Sequence, residues 1–527
     1  MLLAPVPVAL SDFDRLVFDL VVPTDHYLRR VRASVDFERL RPRLVEAYSA
    51  GLGRPAIDPV RMLQIVFLSF HYKLSDRQVI ERTKTDMAFR CFLDMGLNEK
   101  VPHHTEGTKF RNRLGEGPFE EVFQDVVRQA REAGLVNDRL RLKDATHMFA
   151  DAADIQPLQL AAQVRERLLE AAAPFFADWV SEQQARIETL RQLTAEFPDD
   201  ERLAARVEHM RQMVAELRER IAGLPPLTEP DRPRQRLQQV LELADKMLAD
   251  RTDPQAADRL VSAVDPDARV GKHGSFFVGY LLDVAIDADS EIITAVNVLK
   301  ANGAEAADSI VLIRQEEAAQ GNDVAGISLD GAGYNGPVLR ELTDPEGLNL
   351  DATVPPPELP KRTTFGPERF PLTVIDERIG EVTCPNGQTT RQRELNSKGT
   401  GYRYIFKPKQ CAGCPLRTEC LENPASKRGR TVIKNEYEAE YRKVEEKART
   451  PEYKETRRTH PKIERKLNEL VRHHNARRAR YRGLVKARIQ ALMTALAVNV
   501  KRMVKLIAQK MKAAISAQPV RAELARM

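Results

Sequence analysis

The chain has 527 residues, of which 42% are hydrophobic and 30% are charged. This composition is that of a globular protein of roughly three or four domains and excludes a largely disordered chain. The first residues lack the basic and apolar segments of a secretory signal, and the longest apolar stretch, residues 489–500, is too short to cross a bilayer. Five cysteines, an odd number, are typical of a reducing compartment. We therefore expect a cytoplasmic protein with no membrane span.

The first 138 residues have the pattern of an all-helical domain. Asp58 and Pro59 predict a helix start, and a second helix is predicted from Ser75. A third helix carries three basic side chains, as the reading helix of a helix-turn-helix DNA-binding domain does. A helical packing domain with a solvated basic face fits the pattern equally well. The three basic residues are Lys109, Arg111 and Arg113.

The period of the pattern then changes from helical to alternating. The segment "RLRLKDATHMFA" predicts a strand with Asp144 at or near its end. Helical periodicity returns from about residue 155 to residue 260, and an apolar seam within it favours an antiparallel helical hairpin that packs internally. The seam residues are Leu203, Val207, Met210, Val214, Leu217 and Ile221.

Strands are predicted again after the helical segment. The stretches "SFFVGYLLDVAID" and "IITAVNVLKAN" predict a β-hairpin, and "GAEAADSIVLIRQEEAAQ" predicts an amphipathic helix. A short apolar strand then runs into Asp330. Carboxylates at the ends of neighbouring strands are suited to two Mg²⁺ ions about 3.5–4 Å apart, which promote attack on a phosphodiester.

Positive charge is concentrated near the end of the sequence. Residues 454–505 contain 16 lysines and arginines, three glutamates and no aspartate, for a net charge of +13. The whole chain carries only +6, so the remainder sums to about −7. Such a basic segment indicates binding to a polyanion. A third acid is expected among these residues, and Glu464 is the candidate, with Glu455 and Glu469 as alternatives.

Four of the five cysteines lie between the second and third acids with the spacing C-x26-C-x2-C-x5-C. Four thiolates with a C-x2-C pair indicate a tetrahedral structural zinc site. An iron–sulfur cluster and free thiols are the alternatives. Cys91 stands apart in an apolar helical segment and is predicted to be a buried thiol. The four clustered residues are Cys384, Cys411, Cys414 and Cys420.

The order of these segments resembles that of the DDE transposases of bacterial insertion sequences. "RLKDATHMFADA" and "GISLDGAGYNGPVLREL" are similar to the strands that carry the family's first and second aspartates. "PKIERKLNELVRHHNARRARYRGLVKARIQALMTALAVNVKRM" is similar to its third-acid helix and basic tail. The stretches "GRPAIDPVRMLQIVFLSFHYKLSDRQVIERTKTDMAFRCFLDMGL" and "VPHHTEGTKFRNRLG" resemble its N-terminal domain. The resemblance implies that Asp144, Asp330 and Glu464 are the catalytic residues and the ligands of two Mg²⁺ or Mn²⁺ ions.

The resemblance also implies a fold. We expect a mixed α/β protein whose RNase H-like core has a mixed sheet with flanking helices. A helical, coiled-coil-like insert and a small Cys-rich insert interrupt this core, and an all-helical domain precedes it. The helical DNA-binding domain is predicted to span 1–138, and the core is predicted to span 139–154, 262–345 and 451–515. The helical insertion is predicted to span 155–261, and the Cys-rich insertion with its expected zinc is predicted to span 346–450.

The function implied by the resemblance is DNA transposition. Such an enzyme cleaves DNA at the ends of its element and joins the freed 3′-hydroxyl to target DNA. Its expected partners are the double-stranded DNA of the element's terminal repeats and of the target, and a second copy of the chain in a DNA-bound homodimer. Its expected location is the bacterial cytoplasm, in association with the nucleoid. An RNase H-like nuclease or resolvase and a non-catalytic, sequence-specific DNA-binding regulator are the alternatives. The predicted DNA contacts are Lys109, Arg111, Arg113, Arg457, Arg458, Arg477, Arg478, Arg480, Tyr481 and Arg482.

Overall fold

The protein has the mixed α/β architecture that the sequence predicts. A computed structural model describes residues 10–48, 56–153, 155–225, 231–253, 255–358, 364–376, 379–396 and 399–524. None of the helices in these ranges combines the length and the apolar character needed to cross a membrane. The chain divides into two compact units, of which the first comprises Met1–Asn137, Asp144–Asn322 and Lys462–Met527 and the second comprises Asp138–Lys143 and Asp323–Pro461. The domain bounds derived from the sequence remain predictions.

The N-terminal region of the first unit is helical, as predicted. The carboxylate of Asp58 accepts a hydrogen bond of 2.9 Å from the N–H of Arg61 and caps the helix that starts at Pro59. Ser75 and Gln78 form a capping box at the start of the next helix. The helices are α1 Asp12–Val21, α2 Tyr27–Ser34, α3 Arg41–Val45, α4 Pro59–His71, α5 Asp76–Thr85, α6 Met87–Phe92, α7 Thr105–Leu114 and α8 Glu116–Glu132.

The sheet begins with β1, Arg141–Phe149. Asp144 is the fourth of its nine residues, so the expectation that it lies at or near the strand end is wrong. The strand continues because its later residues are also paired: Phe149 donates a hydrogen bond of 2.9 Å to the carbonyl of Arg477 and accepts one of 2.8 Å from the N–H of Ala479.

The predicted hairpin is present in the first unit. Strand β3, Ser275–Asp287, is antiparallel to β2, Arg269–His273, and to β4, Ile293–Lys300. Gly279 of β3 has a φ of 157°, and a Cβ atom there would overlap the carbonyl oxygen of Met148. This position therefore requires glycine, because the backbones of β3 and β1 approach closely.

The described residues of the helical insertion form four helices, whereas the pattern predicted a two-helix hairpin. Apolar faces on all four helices enclose one core, in which Trp179 is only 2% exposed. Three seam residues, Met210, Val214 and Leu217, are buried in that core, two pack against it, and Val207 is also buried, so the prediction of internal packing is confirmed. The helices are α9 Pro157–Ala172, α10 Ala177–Leu193, α11 Asp199–Ala222 and α12 Arg232–Thr252.

In the second unit, the first residues of β1 pair in parallel with β5, Gly326–Ser328, and β5 pairs in parallel with β6, Asp351–Thr353. Two three-stranded antiparallel sheets follow in the Cys-rich region. Their strands are β7 Leu372–Asp376, β8 Ile379–Thr383 and β9 Thr389–Thr390, and β10 Arg393–Leu395, β11 Gly401–Ile405 and β12 Thr431–Asn435.

The apolar helix predicted after residue 484 packs in the core of the first unit, as expected. The side chain of Asn499 in this helix accepts a hydrogen bond of 2.8 Å from the N–H of Ile293 and donates one of 2.7 Å to the carbonyl of Ile293. The remaining helices are α13 Glu305–Gln320, α14 Gly336–Thr343, α15 Pro408–Cys411, α16 Arg417–Cys420, α17 Glu438–Lys447, α18 Pro451–Thr459, α19 Pro461–His474 and α20 Leu484–Leu524, and the 3-10 helices are Glu38–Leu40, Gly331–Gly333 and Pro367–Arg369.

Candidate active site and nucleic-acid interface

The parallel pairing of β1 and β5 aligns two aspartates. Leu142 is the register partner of Ser328, and Asp144 and Asp330 each follow two residues later. A carboxylate oxygen of each aspartate and one of Glu305 lie within 4.8 Å of one another, and all three residues are half-buried. The structure thus brings the first and second predicted acids together, with a glutamate beside them.

Local hydrogen bonds orient the two aspartates. The N–H of Ala145 donates to Asp144 at 2.8 Å, and the N–H of Ala332 donates to Asp330 at 3.1 Å. Asp330 is the N-cap of the 3-10 helix Gly331–Gly333, which turns the chain immediately after β5. Both carboxylates are held by the backbone that follows them, an arrangement suited to coordination of a hard cation.

Sequence reasoning missed Glu305. It is the first residue of α13, where an acidic residue ordinarily stabilises the positive end of the helix dipole. Its position directly after the β-hairpin was the available signal, because the chain leaves β4 for α13 there. The pattern alone does not show that this helix begins beside the aspartates.

The three candidates for the third acid differ in their surroundings. Glu464 lies exposed in the first turn of α19, and Glu455 lies exposed in α18. Glu469 forms ion pairs of 2.9 Å with Lys466 and 2.8 Å with Lys501. Burial disfavours its charged form, but the two lysines outweigh burial and lower its pKa to about 2. Glu469 therefore neutralises structural lysines, and the role of Glu464 remains a prediction.

A buried histidine supports the end of β5. The Nδ1 atom of His460 lies 3.1 Å from the hydroxyl of Ser328, and Arg457 donates a hydrogen bond of 2.7 Å to the carbonyl of Leu329. Burial, assisted by the charge of Arg457, lowers the pKa of His460 to about 4. A neutral imidazole and an arginine thus fix the residues directly before Asp330.

Several of the predicted DNA contacts are engaged within the protein. Arg111 is 6% exposed and pairs with Asp76 at 2.5 Å. Its guanidinium also lies 4.6 Å from the ring centre of Tyr481, which burial shields from solvent. Arg477 donates hydrogen bonds of 3.1 Å to Thr146 and 2.8 Å to the carbonyl of His147. These side chains connect helices and strands of the first unit, as Arg457 does within the second.

Other predicted DNA contacts face solvent. Arg478 and Arg482 are exposed and line a cavity of about 340 Å³ beyond β1. Arg482 also pairs with Asp151 at 3.2 Å. The remaining solvent-facing members of the predicted set are Lys109, Arg113 and Arg458. Lys109 forms an ion pair with Glu106, and the guanidinium of Arg113 lies over the ring of Tyr48.

The four clustered cysteines line one small cavity in the second unit. The N–H of Arg430 donates a hydrogen bond of 3.5 Å to the sulfur of Cys411. Cys384 begins a tight turn in which the N–H of Gly387 donates to its carbonyl at 2.9 Å. Within the described ranges, only the acidic group has three ligand atoms that all lie within 4.8 Å of one another, so the sulfurs surround the cavity without closing on one point. Cys91 is half-buried, and burial raises its pKa.

Two family models match the chain. A Transposase domain (DUF772) matches residues 16–113, which hold α1 to α7, and a Transposase DDE domain matches residues 383–504, which hold the cysteines and Glu464. Asp144 and Asp330 both lie outside the two matches. No curated protein and no solved structure matches the chain. The two matched domains occur in the order that the resemblance implies, and together they support a DDE transposase of an insertion sequence.

Proposed function

We propose that this transposase cleaves DNA at the ends of its element and joins the freed 3′-hydroxyl to target DNA, with Asp144 and Asp330 as ligands of catalytic divalent ions. The observation that carries the proposal is the group of carboxylate oxygens from Asp144, Asp330 and Glu305, which lie within 4.8 Å of one another. Half-buried carboxylates at this separation form a donor set suited to Mg²⁺ or Mn²⁺. The matched DDE domain supports the transposase activity, and the assignment of the two aspartates rests on the acidic group.

Two bound divalent ions would activate the attacking oxygen and stabilise the leaving oxygen of the phosphodiester. The protein's own contribution is positioning. The register between Leu142 and Ser328 sets the spacing of the aspartates, and His460 holds the hydroxyl of Ser328 two residues before Asp330. Fixed ligands need little rearrangement when charge develops at the phosphate, which is the main source of electrostatic catalysis.

Glu464 is proposed as the third catalytic acid on the strength of the resemblance and of its place in the matched DDE domain. Glu305 is the acid that the geometry adds. Both assignments are compatible with two metal ions, since three or four carboxylates are then available. The two glutamates can be separated experimentally, because one lies in the acidic group and the other is exposed.

Double-stranded DNA is the proposed partner, and the solvent-facing arginines are the proposed phosphate contacts. Arg478 and Arg482 combine exposure with a concave surface of about 340 Å³. Arginine side chains in such a position bind phosphate oxygens by paired hydrogen bonds. DNA-bound homodimers and a cytoplasmic location at the nucleoid belong to the same proposal.

A structural zinc ion is proposed for the Cys-rich region. All four cysteines line a cavity of about 20 Å³, which has room for one ion or one water molecule. Four sulfur ligands suit a closed tetrahedral zinc site. Three of the cysteines also pack against a core of five buried residues, so zinc binding would stabilise a region whose own apolar core is small.

The proposed activity is tested with a supercoiled plasmid that carries candidate element ends, incubated with the full chain and Mg²⁺. We expect cleavage at the ends and joined products. Cleavage without joining would indicate the nuclease or resolvase, and a gel shift without cleavage would indicate the regulator. Asp144→Asn should abolish cleavage but not DNA binding, whereas Asp323→Asn, at an exposed aspartate, should change neither. Undiminished cleavage by Asp144→Asn would contradict the proposal.

A further inference from the structure

Helix α1 presents a stripe of large apolar side chains to solvent. Phe13, Leu16, Leu20 and Val21 are 67, 58, 76 and 54% exposed, respectively. With 3.6 residues per turn, all four lie on one side of the helix. Phe18, on the other side, is 2% exposed and packs into the domain. The helix therefore has a second apolar face in addition to the one that the domain buries.

Several contacts hold α1 in this orientation. Ser11 and Asp14 form a capping box at its start, and Asp14 also accepts a hydrogen bond of 2.9 Å from the N–H of Leu97. Near the end of α1, the carbonyl of Phe18 accepts a hydrogen bond of 3.0 Å from Arg29, and Asp19 forms an ion pair of 2.9 Å with the same arginine. These contacts oppose any roll of the helix that would bury the stripe, so the stripe is presented on a rigid support.

The charge of α1 restricts what can cover the stripe. The helix contains three aspartates, Asp12, Asp14 and Asp19, and one arginine, Arg15. This net negative charge opposes contact with DNA and with an anionic membrane surface. Contiguous exposed apolar side chains with polar flanks are typical of protein–protein contacts.

We propose that the apolar stripe of α1 is a contact between two copies of this chain. The proposal rests on the proposed function, because joining two element ends requires two protomers. The stripe is self-complementary: an antiparallel pair of α1 helices related by a two-fold axis places Phe13 of each copy near Leu20 of the other and the two Leu16 side chains near the axis.

The area of the contact indicates its strength. Stable interfaces bury about 1,200–2,000 Å² in total, and a fully buried phenylalanine contributes only about 150–250 Å². Four side chains from each copy therefore supply part of a stable interface. We expect free protein to dimerise weakly and with clear concentration dependence, and DNA ends held by both copies to strengthen the pair through effective concentration.

Sedimentation velocity on the full chain tests the proposal. The unsubstituted protein should shift from monomer to dimer as its concentration rises, and Leu16→Glu/Leu20→Glu should remain monomeric. Leu193→Glu is the matched control, because Leu193 is 69% exposed at the end of α10 and should not affect dimerisation. Equal dimerisation of the double variant, or an unsubstituted protein that stays monomeric at every concentration, would overturn the proposal.

A cross-linking experiment guards against misfolding of the double variant. With a short bismaleimide, Leu16→Cys should form a covalent dimer in excess of the background from the native cysteines, and Leu193→Cys should not. Equal yields from the two variants would contradict the contact. Cleavage of a single element end separates this inference from the proposed function, and the double variant should retain it. If the unsubstituted protein dimerises but does not cleave DNA, only the proposed activity is refuted. If it cleaves DNA but does not dimerise, only the proposed contact is refuted.

Discussion

Arg480 donates a hydrogen bond of 2.8 Å to the carbonyl oxygen of Leu74, and so connects the basic C-terminal segment to the turn between α4 and α5. Its guanidinium also lies 4.7 Å from the ring centre of Phe70. Within one basic run, some arginines therefore hold the protein together and others face solvent. This division predicts opposite consequences for chemically identical substitutions.

Arg480→Ala and Arg111→Ala are expected to lower the free energy of unfolding by about 2 kcal/mol each, because each removes charge-assisted hydrogen bonds to a half-buried partner, Leu74 or Asp76. Urea titration measures this effect. Arg478→Ala and Arg482→Ala should leave stability within about 0.5 kcal/mol. Each should weaken DNA binding and reduce the slope of log K against log salt by roughly 1. Salt slopes unchanged in both exposed variants would argue against the phosphate contacts.

The acidic group makes a prediction that separates the two glutamates. Glu305→Gln should weaken Mn²⁺ binding by the free protein about tenfold, or roughly 1.4 kcal/mol, because one of three clustered carboxylates loses its charge. Glu464→Gln should leave the Mn²⁺ affinity of the free protein unchanged, because Glu464 is exposed and outside that group. It should abolish end cleavage, because Glu464 is the proposed third catalytic acid. Electron paramagnetic resonance of Mn²⁺ measures the first effect, and plasmid cleavage measures the second. Full cleavage by Glu464→Gln would remove its assignment as the third acid.

The zinc proposal predicts that one zinc ion copurifies with the protein and that a chelator lowers the melting temperature. Cys384→Ser and Cys414→Ser should each lose the metal and melt several degrees lower, since removal of a structural metal removes folding free energy. Cys91→Ser, in α6 and away from the cavity, should retain the zinc. Elemental analysis with differential scanning calorimetry provides both readouts. A zinc-free protein that melts at the same temperature would rule out the metal.

How much of this could be predicted from the sequence depends on the range of the interaction. The strand that contains Asp144 and the strand before Asp330 follow from local alternation, and the start of α4 follows from Asp58 and Pro59, because alternation and capping involve near neighbours. Glu305 could not be found in this way, since only the fold places the start of α13 beside the aspartates.

The structural arginines escaped sequence reasoning for a related reason. Density of charge does not distinguish Arg480, whose partner Leu74 is 406 positions away, from exposed Arg482. The helix count of the insertion failed because the seam of α11 shows that one face is apolar but not how many helices cover it. Local patterns thus predicted helices and strands, and long-range packing decided which side chains meet.

Two histidines in the first unit predict a stability that falls on mild acidification. His474, in α19, is 7% exposed, and neither ring nitrogen has a hydrogen-bond partner in the described part of the chain. Burial, assisted by the charge of Lys501, lowers its pKa to about 4. Burial also lowers the pKa of His71, in α4, to about 4, and His474 adds to that shift. Both rings are therefore neutral in the folded protein at neutral pH.

The sign of the effect follows from proton binding. Below pH 6.5 the unfolded chain protonates these histidines while the folded protein does not, so stability is lost as the pH falls from about 6.5 to about 4. For His474 alone the loss between pH 7.5 and pH 5 is about 2 kcal/mol. His474→Leu should remove that part of the pH dependence, since leucine forfeits no hydrogen bond. His473→Leu, at the exposed neighbouring position, should retain it. Urea unfolding at the two pH values decides the matter: equal pH dependence in both variants would show that His474 does not resist protonation in the folded state.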